Sequence, residues 1–350
     1  MPATASGRYI TSKDGTRIWA DDAGVKSGIP VVFIHGFACT ALIWDKQFGD
    51  RTLARNLNMV RYELRGHGRS DHPEHPDAYV GERYAEDFMA VCGAFGISKP
   101  FVCAWSFGAL IPVDVVEAFG PDQISGVIYP GGPALTLDLH KEFMHPFLLD
   151  FIALITKDAD EINKAANMFV DSCLHNPQHA LPFEKRLQWL AGFFLPSTTA
   201  RMNTLLRKQS SKRWEKEFRH KPHLLIQGTA DMHTETHKLI PIARKTLPEI
   251  EIKLVDDVGH AVAWEAPDKH NKYLLEFVRR HHRAQTRAQA AEKVLVDKGL
   301  AGKLDAVVGP ALAAVKPDPA VDVSPAMPVQ MDVAVEEAPM VVKRDVVVAV

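Results

Sequence analysis

The chain reads as an α/β protein: a mostly parallel, eight-stranded sheet covered by helices on both faces, with a helical layer above it and a low-complexity tail. Three observations predict this. Short apolar runs alternate with helix-length segments up to residue 283. One interval of about ninety residues breaks that rhythm, and it is too long and too apolar for a loop. Beyond residue 283 there is no Phe, Trp or Tyr.

The strand signals are RYITS, TRIWADD, PVVFIHG, MVRYELRG, PFVCAWS, SGVIYPGG, PHLLIQG and EIKLVDD. The first two are joined by Lys13-Asp14-Gly15, a tight-turn sequence that makes them an antiparallel hairpin. The later runs are apolar throughout, as expected of strands buried on both faces by helices. Between the Gly131-Gly132 pair and Pro222 the sequence turns to amphipathic helices, read here as a cap seated on the sheet. Its recurring Phe143, Phe147, Phe151, Trp189, Phe193 and Phe194 pack that layer, and some of them line a pocket. The expected divisions are a core over 1–133, a cap over 134–218, the rest of the core over 219–283 and a disordered Ala/Val/Pro-rich tail over 284–350, in which residues around 287–307 have the composition for one loose helix.

With 46% apolar and 24% charged residues, the composition is that of a soluble globular protein. The net charge of −2 excludes a broad nucleic-acid surface. Cys39, Cys92, Cys103 and Cys173 have no paired spacing, which suits free thiols in a reducing compartment. With no signal peptide pattern and no membrane-length apolar run, the expected location is cytoplasmic. A homo-oligomer is left open.

The chemistry gathers at strand ends. Val102-Cys103-Ala104-Trp105-Ser106-Phe107-Gly108 is a strand running directly into a helix start, a turn that thrusts Ser106 outward and needs small residues two positions away on each side. Ala104 and Gly108 meet that need. Gly36 turns the chain after PVVFI, so the main-chain N–H groups of Phe37 and Phe107 form the expected oxyanion hole. His35 is read as a structural hydrogen-bonder. Among sixteen histidines, His260 follows the last strand and is the expected general base. Asp231 follows the preceding strand through Gly228 and orients it, in preference to Asp256 or Asp257. Trp105, Trp189 and Phe147 are the expected pocket residues.

These motifs resemble the α/β-hydrolase superfamily over roughly residues 8–280: His35-Gly36 with Trp44 and Gln47, Arg65-Gly66-His67-Gly68-Arg69-Ser70-Asp71, the Ser106 elbow, Gly228-x-x-Asp231, and Gly259-His260 followed by Glu265, Pro267, Asn271 and Phe277. Within it, the pattern is similar to small esterases, enol-lactonases and cofactor-free haloperoxidases or perhydrolases, with Ala104 where glycine is more usual. The order Ser106, Asp231, His260 is the one this fold uses. The resemblance implies a hydrolase of a small or medium apolar carboxylic ester or lactone, with no cofactor and no metal; the expected partner is a small-molecule ester, lactone or thioester substrate. The alternatives are a cofactor-free haloperoxidase or perhydrolase, a carbon–carbon bond hydrolase, and a ligand-binding receptor of the same fold. Epoxide hydrolases carry aspartate where Ser106 stands. His233 and His237 are set aside as metal ligands because no third ligand is spaced to join them, and Arg279–Arg283 is read as the charged end of the last helix.

Overall fold

The computed structural model describes residues 7–133, 135–155 and 159–297. Eight strands form one sheet in the order β1-β2-β4-β3-β5-β6-β7-β8. They are β1 (Arg8–Thr11), β2 (Arg17–Gly24), β3 (Ile29–Ile34), β4 (Leu57–Tyr62), β5 (Phe101–Ala104), β6 (Gly126–Pro130), β7 (His223–Gly228) and β8 (Glu251–Val255). Each coincides with one of the apolar runs. β2 runs antiparallel to β1 and β4, and every other pairing is parallel.

Side chains alternate across the pleat, so each inner strand feeds two cores. On β3, Val31 and Phe33 join one apolar cluster while Val32 and Ile34 join the other. The second cluster is closed by helices α1 (Gly81–Ala94) and α2 (Leu110–Phe119), through Tyr84, Phe88, Val113 and Val116. Between β6 and β7 the cap contributes α3 (Leu137–Phe143), α4 (Pro146–Ile155), α5 (Ala159–Ser172), α6 (Phe183–Phe194) and α7 (Thr198–Leu205). Phe151 of α4 stacks on Phe169 of α5 at 4.7 Å, and Phe193 of α6 closes the trio. Helix α8 (Thr236–Thr246) joins β7 to β8, and α9 (Pro267–Asp297) covers the first cluster with Leu274, Phe277 and Val278.

The last helix differs from expectation. It does not end at Arg283 but continues to Asp297. Ala284 and Ala288 are buried, and the Gln285 amide donates to the Ser125 carbonyl at 2.9 Å. No glycine or proline interrupts residues 268–297, so nothing stops the helix where the aromatic residues end. Arg280 and His281 therefore lie within the helix and pair with Glu251 of β8 instead of facing a terminus. The tail expected beyond residue 297 lies outside the described residues. Among those described, no helix is long and apolar enough to cross a membrane.

Candidate active site

The strand order reverses around β3, which has β4 on one side and β5 on the other. Such a reversal opens a crevice at the carboxyl ends of the strands. Phe37 follows β3 there and Ser106 follows β5. Ser106 has φ of 53°, a left-handed conformation that a non-glycine residue adopts only under compulsion. Close packing supplies it. A Cβ on Gly108 would stand 2.6 Å from the His35 carbonyl oxygen, and one on Gly36 would stand 3.1 Å from the Ser106 Cβ. The elbow and the β3 turn touch because both glycines are bare. Phe107 lies in the first turn of the helix that begins at Ser106, where main-chain N–H groups have no partner within the helix.

His260 sits on the loop after β8 and is held from several sides. Its main-chain carbonyl accepts a hydrogen bond from Trp105 Nε1 at 3.0 Å, and the next residue's N–H donates to Cys173 of the cap. Glu265 accepts from the N–H groups of Gly259 and of His175, tying that loop to the cap. The ring Nδ1 donates to Asp231 Oδ2 at 3.0 Å. A carboxylate only accepts, so Nδ1 carries a proton, and in the neutral ring Nε2 is then the lone pair. That Nε2 is buried with no hydrogen-bond partner among the described residues, Ser106 Oγ included.

Asp231 is buried and fully engaged. Its Oδ1 accepts from the N–H groups of His233 and Thr234, and Oδ2 accepts from Gln227 Nε2. Burial pushes its pKa up, but His260, together with His233 and the Gln227 hydrogen bond, outweighs that and the carboxyl lies below its ordinary value. Asp256 and Asp257, the rejected alternatives, are both exposed.

The cavity against Ser106 has a volume of about 80 Å³. Phe37 and Phe107 form its floor, Leu148, Phe151 and Phe169 its cap side, and His140 and His233 supply imidazoles. The three residues expected to line it do not. Trp105 turns towards the His260 loop, with its ring 5.4 Å from the His260 ring. Trp189 packs between Trp105 and Trp264, and Phe147 stacks on the His233 ring. Both tryptophans are taken up by ring packing around the His260 loop, Trp105 against His260 and Trp189 against Trp105 and Trp264.

The other motif residues are scaffold. His35 Nε2 accepts from the Leu64 N–H and Nδ1 donates to the Gly36 carbonyl, so the ring is satisfied in its neutral form. Arg65 is buried between Asp87 of α1 and Asp14 of the first hairpin. Gln47 donates to Ala263 and Asn271, joining the β3 loop to α9. His233 is not on a helix with His237, since α8 starts only at Thr236. Among the described residues no group of side chains is arranged to hold a metal.

Three neighbours of the site, Gly132, Gln227 and His140, were not picked out in the sequence, and His233 was weighed there only as a metal ligand. The Gly131-Gly132 pair that follows β6 was the available signal. A Cβ on Gly132 would stand 2.4 Å from His260 Cε1, so that glycine makes room for the ring.

Residues 31–271 match the Alpha/beta hydrolase family. The chain belongs to that family. Among curated proteins, "Probable oxidoreductase EphD" of Mycobacterium tuberculosis (strain ATCC 25618 / H37Rv) is 38% identical over 137 residues. That covers 38% of this chain and only 23% of the relative's length. The non-heme chloroperoxidase of Streptomyces lividans is 36% identical over 88 residues, 25% of this chain and 31% of that one. Among solved structures, a "putative aryl esterase" from Burkholderia cenocepacia superposes with a TM-score of 0.72 at 27% identity, over 79% of this chain and 99% of its own. A bromoperoxidase from Bacillus anthracis superposes with a TM-score of 0.66 at 17% identity, over 78% of this chain and all of its own (100%), a likeness of fold alone.

Proposed function

We propose that this α/β hydrolase cleaves a small carboxylic ester or lactone through an acyl-enzyme, with Ser106 as nucleophile, His260 as base and acid, and Asp231 as the orienting carboxylate. The observation that carries the reading is His260 Nε2, buried without a partner among the described residues, beside the elbow that carries Ser106. A buried acceptor left unpaired costs on the order of 1–3 kcal/mol, so its persistence calls for a use. Catalytic hydrogen bonds are commonly open before substrate arrives, which accords with the unmade bond to Ser106.

Ser106 Oγ attacks the acyl carbon and passes its proton to His260 Nε2. The carbonyl oxygen becomes an oxyanion, accepted by the main-chain N–H groups of Phe37 and Phe107. The imidazolium, stabilised by Asp231, returns the proton to the leaving oxygen as its bond to carbon breaks. Water then attacks the acyl-enzyme, gives its proton to His260, and the acid departs as Ser106 Oγ is reprotonated. A serine suits this acyl transfer, whereas epoxide opening in this fold uses an aspartate at the same place. A second reading draws on the chloroperoxidase relative: hydrogen peroxide intercepts the same acyl-enzyme in place of water and releases a peracid.

Stopped-flow mixing with an activated acetate ester, with and without peroxide, tests both. A burst of alcohol release equal to the enzyme concentration is expected, with acid as the main product. A peroxide-dependent switch to peracid would favour the second reading, and no burst with any activated ester would overturn both.

A further inference from the structure

The cavity walls are apolar apart from Ser106 and two imidazoles that the acyl-transfer steps do not use. His140 comes from α3 and His233 from the loop after Asp231. Ser172 Oγ donates to the Phe169 carbonyl at 2.9 Å, so it must accept from His233 Nε2, 2.8 Å away. His233 therefore carries its proton on Nε2 and offers Nδ1 as a lone pair with no partner among the described residues. The His140 ring packs against Phe143 and makes no hydrogen bond among the described residues, which leaves it one N–H donor and one acceptor.

We propose that His140 and His233 bind a neutral oxygen substituent on the acyl chain, so that the pocket selects hydroxy-acyl esters, and oxo-acyl esters after them, over unsubstituted ones. The inference rests on the acyl-enzyme reading and names the substrate class of that same site. A hydroxyl both gives and takes a hydrogen bond, matching the His140 N–H and the His233 Nδ1 together; a keto oxygen only takes one, from His140. Both rings are uncharged at neutral pH. Burial, then the nearby His260, pushes His140 down to about 4, and the same causes hold His233 well below its ordinary value. Neutral rings give a carboxylate no countercharge, so a chain ending in an acid is disfavoured. A plain acyl chain displaces water from the rings and leaves their donors and acceptors unpaired, which a site built to hydrogen-bond a substrate oxygen discriminates against.

The test is kcat/KM for the phenyl esters of 3-hydroxybutanoate, 3-oxobutanoate, butanoate and monosuccinate. The wild type is expected to prefer 3-hydroxybutanoate to butanoate by at least about tenfold, the value of one well-made hydrogen bond. That ratio should fall towards one in His140→Leu and in His233→Leu, and recover in part in His140→Gln. Thermal melts identify any variant that fails to fold, and the remaining ones decide. A wild-type ratio near one, or a ratio that survives both leucine variants, would overturn the proposal. If no ester is turned over, the hydrolase reading falls separately. Calorimetric binding of 3-hydroxybutanamide and butanamide to the wild type then decides the recognition claim, and equal affinities would end it.

Discussion

Two neighbouring imidazoles, their ring centroids 4.1 Å apart, carry their protons on opposite nitrogens. Asp231 draws the proton of His260 to Nδ1, and Ser172 draws that of His233 to Nε2. At this scale the carboxylate matters because it sets which nitrogen is bare. Asp231→Asn lets the amide donate to Nδ1, moves the proton to Nε2 and leaves no base for Ser106. Turnover of an activated ester is expected to fall by roughly three to four orders of magnitude, as in a serine protease with the same change. Asp257→Asn, on an exposed side chain, should stay within about tenfold. Steady-state kinetics of the two folded variants separate these outcomes, and a crippled Asp257→Asn beside a normal Asp231→Asn would reassign the acid. Asp231 was legible in the sequence because it stands just past a buried strand, after the glycine that lets the chain turn. His140 and His233 were not. Their role depends on how the cap helices pack over the sheet, and no local spacing encodes that.

At the scale of elements, the site is assembled where strand ends meet loops at bare glycines. Gly228 lets the end of β7 touch the loop before His260, since a Cβ there would lie 2.2 Å from the Val258 carbonyl oxygen. Gly132 does the same for the imidazole. Gly132→Ala must push the His260 ring aside, so a loss of at least about a hundredfold in kcat is expected, the scale of a small misplacement of a catalytic group. The melting temperature should move by only a few degrees, because the clashes fall on loop-borne side chains, the His260 ring and Thr234 Oγ1, and not on the sheet. Activity within threefold of the parent would show that the ring has another resting place. The strands were readable from their unbroken apolar runs. The end of α9 was not, because alanines continue a helix as well as aromatic residues do and small side chains such as Ala284 and Ala288 still pack. The pocket residues were misjudged for a related reason: bulk predicts burial, and Trp105 and Trp189 are buried, but on the His260 side of the strand end.

For the whole molecule, the same burial that builds the site sets its response to acid. His35, His223 and His270 are pushed down to about 4, and His67 to about 3, in each case chiefly by burial. Unfolded, these rings titrate near 6.5. Their folded values are depressed, so the unfolded chain binds more protons between those limits, and stability is complete above about pH 6.5 and lost as pH falls towards 4. Each ring contributes up to about 1.4 kcal/mol per pH unit in that window. Urea midpoints measured from pH 8 to pH 4.5 should be level at first and then fall steeply below about pH 6. A flat profile down to pH 4.5 would mean that the rings are protonated without penalty and are less enclosed than described.

The central claim is that Ser106 is the nucleophile and that His260 and Asp231 activate it. Intact-protein mass spectrometry after treatment with a fluorophosphonate, followed by peptide mapping, tests it most directly. The account predicts one phosphonyl group per chain, on Ser106, with none on Ser106→Ala and markedly slowed labelling of Asp231→Asn. Stoichiometric labelling of Ser106→Ala, or a modification mapped to another residue in the wild type, would contradict it.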